Sequence, residues 1–210
     1  MNRALGSLLF LSLASCAPGP GGAVGPSPAG LAIREAPAEV HGYPRTDFKR
    51  YEMASAGVSY RYGSGPPIIR DVYVYPLTPT AGAGGDDPVQ RARSESDNLK
   101  AVFEIQRRER RIERFEVGAD SAIAVPIPGG TVRGWHLSGR VVHRNGVDET
   151  HQHVFAIGDQ LLKVRTTYTV NAPNASADVD AFVRDLLRQM LGPARSDALT
   201  ITRGQPRARW

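Results

Sequence analysis

Residues 131–170 read TVRGWHLSGRVVHRNGVDETHQHVFAIGDQLLKVRTTYTV and contain three strand-like runs separated by two tight turns. Asn145-Gly146 joins residues 131–144 to residues 147–157, and this dipeptide is typical of a two-residue turn between antiparallel strands. Gly158-Asp159 makes a second tight connection, into residues 161–170. The stretch therefore predicts a three-stranded antiparallel β-meander.

A hairpin and a helix are predicted before the meander. Apolar and polar residues alternate over residues 58–62, and residues 68–77 form a second strand-like run. Asp87-Pro88 is a typical helix start, with a carboxylate as the N-cap and proline at the first helical position. We expect this helix to extend to about residue 112, and one or two short strands to lie within residues 115–127.

A second helix is predicted after the meander, over about residues 176–191. Its apolar residues recur at helical spacing, and Gly192-Pro193 ends it. The predicted fold is therefore an α+β domain with a mostly antiparallel sheet and two helices. The element order, and residues 161–168 (LLKVRTTY) before the last helix, resemble the Mog1/PsbP-type α/β/α sandwich and small envelope lipoproteins of unknown function. This resemblance implies a fold and transfers no functional residue.

The first sixteen residues have the features of an export signal. Arg3 precedes an apolar run over residues 4–13, and Leu13-Ala14-Ser15-Cys16 follows. About ten apolar residues are too few to span a bilayer core of roughly 30 Å as a helix. The stretch resembles the type II signal peptide of bacterial lipoproteins. That resemblance implies that residues 1–15 are removed, that Cys16 carries acyl chains, and that the protein works in the cell envelope.

The lipoprotein resemblance predicts which membrane carries the protein, and the composition of the chain predicts how it is divided into segments. Ala17, where an aspartate would favour the inner membrane in enterobacterial lipoproteins, favours the outer membrane on the periplasmic side. Residues 16–40 are rich in glycine and proline and are expected to form a flexible linker. Residues 41–195 are then one α+β domain, and residues 196–210 are a basic C-terminal tail.

Composition limits the chemistry and the partners. Cys16 is the only cysteine, so a disulfide, a cysteine-based zinc site and a thiol nucleophile are excluded. The net charge of +5 either reflects an arginine-rich composition, as a GC-rich genome would give, or favours an anionic envelope component over nucleic acid as the partner of an anchored chain. An envelope protein is the other expected partner. Four arginines near the end of the first helix either complement its C-terminal dipole or form an anion-docking patch: Arg107, Arg108, Arg110 and Arg111.

Four of the five histidines lie in the meander. If Asn145-Gly146 is a two-residue turn, Arg140 faces His151 and Ser138 faces His153. One face of the hairpin is then polar, with His136, Ser138, Arg140, Glu149, His151 and His153. Its three imidazoles, at His136, His151 and His153, could hold zinc or copper. The alternative is a solvated sheet face, on which the Arg140 charge opposes a cation.

A set of tyrosines and a serine–histidine pair each allow more than one interpretation. The tyrosines at 60, 62, 73 and 75 either line a ligand groove or pack across the predicted hairpin. Ser138 near His153 is the remaining basis for a hydrolase, because the chain has no Gly-x-Ser-x-Gly, His-Glu-x-x-His or Walker motif. The leading hypothesis is a non-catalytic envelope lipoprotein that binds or scaffolds another component. Metal or small-ligand binding at the histidines is the second, and a hydrolase the third.

Overall fold

The computed structural model describes residues 30–63, 67–77, 87–172 and 175–193. Its elements follow in the order β1 (Leu31–Ile33), β2 (Glu39–Val40), β3 (Tyr43–Arg50), a 3₁₀ turn (Ala54–Ala56), β4 (Val58–Tyr62), β5 (Ile68–Pro76), α1 (Pro88–Arg108), β6 (Arg114–Ile127), β7 (Gly130–His143), β8 (Gly146–Ile157), β9 (Gln160–Thr169), α2 (Ala175–Met190) and β10 (Leu191–Pro193). The predicted α+β class with two helices is confirmed.

Within the described residues, eight strands form one antiparallel sheet in the order β2-β3-β4-β5-β9-β8-β7-β6, and β1 pairs with β10 separately. The two helices cover opposite faces of the large sheet. Phe155 of β8 shares a buried cluster with Phe182 of α2, whereas its neighbour Val154 shares one with Ala92 of α1. Side chains on successive residues of a strand point to opposite faces, so the meander is buried on both sides.

The main core lies under α2. Its apolar stripe is fully buried, at Phe182, Leu186, Leu187 and Met190, and it packs on Val72, Val164 and Leu162 of the sheet. The helix α1 begins as predicted, because the Asp87 carboxylate accepts a hydrogen bond from the Val89 N–H at 3.0 Å. Among the described residues, no helix is both long enough and apolar enough to cross a bilayer.

The predicted boundary between linker and domain is wrong. The folded body begins at Leu31 rather than at residue 41, because residues 31–33 pair with residues 191–193 as a two-stranded ribbon. Ala36 and Val40 are buried in the main core. Residues 191–193 therefore continue from α2 into this ribbon. Residues 1–29, with Cys16, and residues 196–210 lie outside the described part of the chain.

Two predicted elements have different bounds. The helix α1 ends at Arg108 rather than near 112, because Arg110 takes a left-handed backbone conformation with φ of 58°. One long strand, β6, replaces the expected one or two short strands. A register shift between Val117 and Asp120 interrupts its pairing with β7. This bulge explains why the sequence pattern breaks in the middle of a continuous strand.

The predicted register of the β7–β8 hairpin is also wrong, by two residues. His143 faces Gly146, so the turn residues are Arg144 and Asn145. Ser138 therefore faces His151, and His136 faces His153 directly. A shift of two residues leaves each side chain on its predicted face, because strand side chains alternate with period two. The predicted set of polar residues thus stays together on one face.

Candidate functional site

The histidines of the meander form a row of stacked rings, which we call the histidine row. It consists of His153, His136, His151 and the ring of Tyr168 on β9. The ring centroids of His136 and His153 are 4.3 Å apart with 12° between their planes. His136 and His151 are 5.4 Å apart at 9°, and His151 and Tyr168 are 5.7 Å apart at 15°. Three adjacent antiparallel strands hold the rings parallel to one another.

A directed chain of hydrogen bonds runs through the row. The Tyr168 hydroxyl donates to Glu149 Oε2 at 2.7 Å, because a carboxylate can only accept. The same hydroxyl oxygen then accepts from His151 Nε2 at 3.1 Å. With neutral rings, His151 Nδ1 is left as the acceptor for His136 Nε2, 3.2 Å away. This pattern assigns the proton to Nε2 in both His151 and His136.

The surroundings of His136 and His151 favour neutral rings. Burial, reinforced by the neighbouring rings of His153 and His151, lowers the pKa of His136 to about 4. Burial, with a smaller effect from His153, also lowers the pKa of His151. The Tyr168 hydrogen bond lowers the pKa of the Glu149 carboxyl, so this group stays ionised. At neutral pH, His136 and His151 are therefore uncharged members of a hydrogen-bonded chain that ends on the Glu149 carboxylate.

The other end of the row lies against α2. The His153 ring is 5% exposed, and its Nε2 lies 3.6 Å from Asp180 Oδ1. Asp180 is itself 77% exposed, and the hydrogen bond with His153 lowers the pKa of its carboxyl. The histidine face of the sheet is thus covered by a helix, so the interpretation of a solvated sheet face is wrong for His153.

A groove of about 360 Å³ opens beside the row, and we call it the β6–β8 groove. It is lined by Glu116, Val117, Gly118, Ser138, Gly139, Arg140, Glu149 and His151. Arg140 and Glu149 are paired on adjacent strands at its side, with Arg140 Nε 3.3 Å from Glu149 Oε1. The groove gives solvent access to the acidic end of the row. It offers a ligand hydrogen-bonding groups of both charges.

The groups in the groove are not arranged for nucleophilic attack. Ser138 lies opposite His151 rather than His153, the partner predicted from the sequence. The Ser138 hydroxyl accepts a hydrogen bond from the Ala119 N–H at 3.0 Å. Both His151 ring nitrogens are engaged, by His136 and by Tyr168. A nucleophile needs a base within hydrogen-bonding reach, and this arrangement gives the predicted hydrolase no support.

The three predicted metal ligands meet in space, but not around a common point. His136 Nε2 lies 3.2 Å from His151 Nδ1, and His153 Nε2 lies 3.6 Å from Asp180 Oδ1, so these nitrogens face their neighbours rather than one ion. Within residues 30–193, leaving aside the stretches that are not described, no group of three or more histidine, cysteine or acidic side chains is placed to hold a metal. Zinc or copper binding by His136, His151 and His153 remains a prediction from the sequence that this geometry does not favour.

The predicted arginine patch at the end of α1 is built from ion pairs. Arg107 donates to both carboxylate oxygens of Glu104, at 2.9 and 2.6 Å. Arg108 reaches the same carboxylate at 3.4 Å, and Arg111 lies 2.9 Å from a glutamate of its own. Arg110 follows the helix in its left-handed conformation. These contacts favour the structural interpretation of the arginines, and anion docking by all four stays a prediction.

The four predicted tyrosines lie on two different faces. Tyr60 and Tyr62 are buried in the main core under α2. Tyr73 and Tyr75 lie on the opposite face, where Lys163 Nζ sits 5.3 and 5.1 Å from their ring centroids. They therefore do not line one groove, and packing is the interpretation that the structure supports.

Two polar residues of the histidine face were not predicted from the sequence. Tyr168 joins the histidine row and bonds to Glu149, which the sequence had placed on this face, yet nothing in a period-two pattern shows that Tyr168 meets it. Arg70 of β5 is 1% exposed, and its guanidinium lies 3.7 Å from the Tyr43 ring centroid. Asp178 of α2 lies 3.9 Å from the same guanidinium. A buried arginine is rare enough that only the tertiary structure could reveal it.

The fold and the site together define an α+β sandwich domain with a partly buried polar row on the sheet face that its C-terminal helix covers. No family model matches the sequence, and no curated protein matches it. Among solved structures, the chain is similar to the cyanobacterial PsbP protein, CyanoP, of Synechocystis sp. PCC 6803. The TM-score is 0.47 and the identity 14%, covering 83% of this chain and 98% of that one.

Two other solved structures are similar. LpqN of Mycobacterium tuberculosis, described as involved in cell envelope biogenesis, has a TM-score of 0.39 and 13% identity, over 80% of this chain and 87% of that one. A Pseudomonas aeruginosa protein of unknown function, PA94, has a TM-score of 0.34 and 13% identity, over 59% and 75%. At these scores none of the three likenesses says what this chain does.

Proposed function

We propose that this chain is a lipid-anchored protein of the bacterial cell envelope, whose α+β domain binds another envelope component without turning it over. The observation that carries the proposal is Leu13-Ala14-Ser15-Cys16 directly after an apolar run of about ten residues. A diacylated cysteine would hold the folded body at a bilayer, because each buried methylene contributes about 0.8 kcal/mol. The periplasmic face of the outer membrane is the proposed location.

Binding, rather than catalysis, is supported by how the polar groups are used. His151, Tyr168 and Glu149 are each hydrogen-bonded to a neighbour in the row. Arg140 is bonded to Glu149 at the side of the β6–β8 groove. Such a set is preorganised and offers hydrogen-bonding groups at a surface, but none of its members is poised to accept a proton from a nucleophile. We therefore assign the groove as the binding surface.

The first test replaces the proposed acylation site. Cys16→Ala is expected to lower the fraction of the protein that sediments with membranes by roughly tenfold or more, because both acyl chains are lost. Incorporation of radiolabelled palmitate should disappear as well. Ser12→Ala, within the apolar run, is the matched control and should keep both. Unchanged sedimentation and labelling of Cys16→Ala would contradict the anchor.

The second test places a photo-crosslinking amino acid at Arg140, which lines the β6–β8 groove and has a 57% exposed side chain. Irradiation of cells should give one adduct of defined mass, whose partner is identified as an envelope component by mass spectrometry. The same amino acid at Lys49, an exposed residue of β3 near the other edge of the sheet, is the control. No adduct at Arg140, or the same adduct at both positions, would contradict the assignment of the groove.

A further inference from the structure

A second pocket, of about 280 Å³, lies between α1 and β6, and we call it the α1–β6 pocket. Its floor and one wall are apolar, at Phe103, Phe115 and Val117. Its rim is mostly cationic, with Lys100, Arg107 and Arg114 beside the single carboxylate of Glu104. An apolar floor under a positively charged rim complements a molecule that has an alkyl part and an anionic head.

The floor is preformed. The rings of Phe103 and Phe115 are stacked, with centroids 4.2 Å apart and 25° between their planes. Behind them lie Ile112 and Val141, which are 5% and 4% exposed, so the floor is supported by a packed cluster. Val117, by contrast, is 52% exposed. The pocket therefore leaves apolar surface in water that an alkyl chain could cover.

The two arginines of the rim form exposed ion pairs, which an anionic ligand can replace. Arg107 binds Glu104 at 2.6 Å, and Arg114 binds Glu116 at 2.6 Å. All four side chains are more than 40% exposed, and exposed ion pairs contribute little to stability. A phosphate can replace the two carboxylates, because the guanidinium fork binds phosphate oxygens in a bidentate manner. Lys100 lies between Asp97 and Asp120, at 2.6 and 2.8 Å, and is the least available cation of the rim.

We propose that the α1–β6 pocket binds the head and first methylenes of an alkyl phosphate, the chemistry of an anionic membrane lipid. The phosphate lies between Arg107 and Arg114, and the alkyl chain lies on Phe103, Phe115 and Val117. At about 280 Å³ the pocket is slightly smaller than the usual lower bound for ligand sites, roughly 300 Å³, so it holds part of a lipid rather than a whole one. This inference does not require acylation of Cys16, so either proposal can fail alone.

The test titrates the full chain, in nonionic detergent, with hexyl phosphate and separately with inorganic phosphate, followed by calorimetry and by NMR. Hexyl phosphate should bind the native chain at least tenfold more tightly than inorganic phosphate. The double variant Arg107→Gln/Arg114→Gln should weaken hexyl phosphate binding by at least tenfold. The matched control Arg108→Gln/Arg111→Gln removes the same charge from arginines outside the pocket and should change the affinity by less than twofold.

A third variant separates the apolar contact from the charge. Val117→Asn leaves the arginines in place and alters an exposed side chain, so it should fold normally. It should weaken hexyl phosphate binding and leave inorganic phosphate binding unchanged. Equal affinity for the two phosphates, equal weakening by the two arginine pairs, or an absence of hexyl phosphate binding would each overturn the proposal. NMR spectra of every variant must first show the native fold.

Discussion

Lowering the pH from 7 to 4 is expected to reduce the free energy of unfolding by about 3 kcal/mol through His136 alone. Burial and the adjacent imidazoles place the pKa of this ring at about 4, against an ordinary value of 6.5 in the unfolded chain. One pKa unit corresponds to about 1.4 kcal/mol between the two protonation states. A loss of this size is a large part of the stability of a typical domain.

The direction of this pH effect follows from the difference in proton binding between the folded and the unfolded chain. Between pH 6.5 and 4 the unfolded chain holds a proton on His136 that the folded chain excludes, so acid favours unfolding. The stabilisation is complete above pH 6.5, falls as the pH drops through this window, and is exhausted below about pH 4. The pKa of His151 is lowered in the same direction and adds to the effect.

The carboxylates of the site act at lower pH. The pKa values of Glu149 and Asp180 are lowered from ordinary values of 4.5 and 3.8. Their contributions are present above those ordinary values and are lost only as the pH falls further. Measurements between pH 6.5 and 4.5 therefore report mainly on the imidazoles.

The measurement is urea-induced unfolding at several pH values, on the native chain and two variants. His136→Gln removes the buried titrating ring and should flatten the pH dependence between 6.5 and 4.5. His143→Gln makes the same substitution at a 40% exposed ring of the same strand, 3.2 Å from Asp148, and is the control for the replacement itself. Its pH dependence should be steeper than that of His136→Gln. An NMR titration should place the midpoint of His136 near pH 4. A native slope in His136→Gln, or a midpoint near 6.5, would contradict this account.

The sequence predicted the faces of the meander well and its register less well. Period-two alternation placed His136, His151 and His153 on one side, and a two-residue error in the turn did not move them. The difference in the turn arises because Asn145-Gly146 is a favoured two-residue loop by local preference alone. The structure uses Arg144 and Asn145 instead and begins β8 at Gly146. Local patterns determine which residues share a face, whereas pairing depends on the whole sheet.

Contacts between residues that are far apart in the chain could not be predicted from the sequence. Nothing in residues 30–41 shows that a short apolar run pairs with residues after α2. The eight-residue strand β3 alternates too little to be recognised, since most of its side chains are exposed. The packing of α2 on the histidine face, with Asp180 beside His153, depends on contacts between residues that are far apart in the sequence. These contacts bury His153 and leave His136 and His151 partly buried, on a face that the sequence pattern alone would leave in solvent.

One glycine of β7 shows how closely the meander is packed, and replacing it is expected to be severe. Gly134→Ala should lower the free energy of unfolding by about 2–3 kcal/mol, the cost of overpacking a core. A Cβ at this position would overlap the carbonyl oxygen of Val154 and meet a carbon of the Phe155 ring at 2.5 Å. The oxygen belongs to the backbone of β8, and Phe155 is fully buried, so neither can move without separating the strands.

The matched control for this prediction is Gly146→Ala, in the same hairpin, where a Cβ would meet no atom within 4 Å. Its stability should stay within about 0.5 kcal/mol of the native chain, as for most exposed positions. The difference between the two alanine variants, measured by urea unfolding at pH 7, isolates the steric contact from the general effect of glycine on strand stability. Because Gly134 directly precedes Trp135 and His136, a displaced strand should also disturb the histidine row, visible as shifted imidazole resonances. Equal stabilities of the two variants would show that β7 and β8 are less tightly packed than this structure has them.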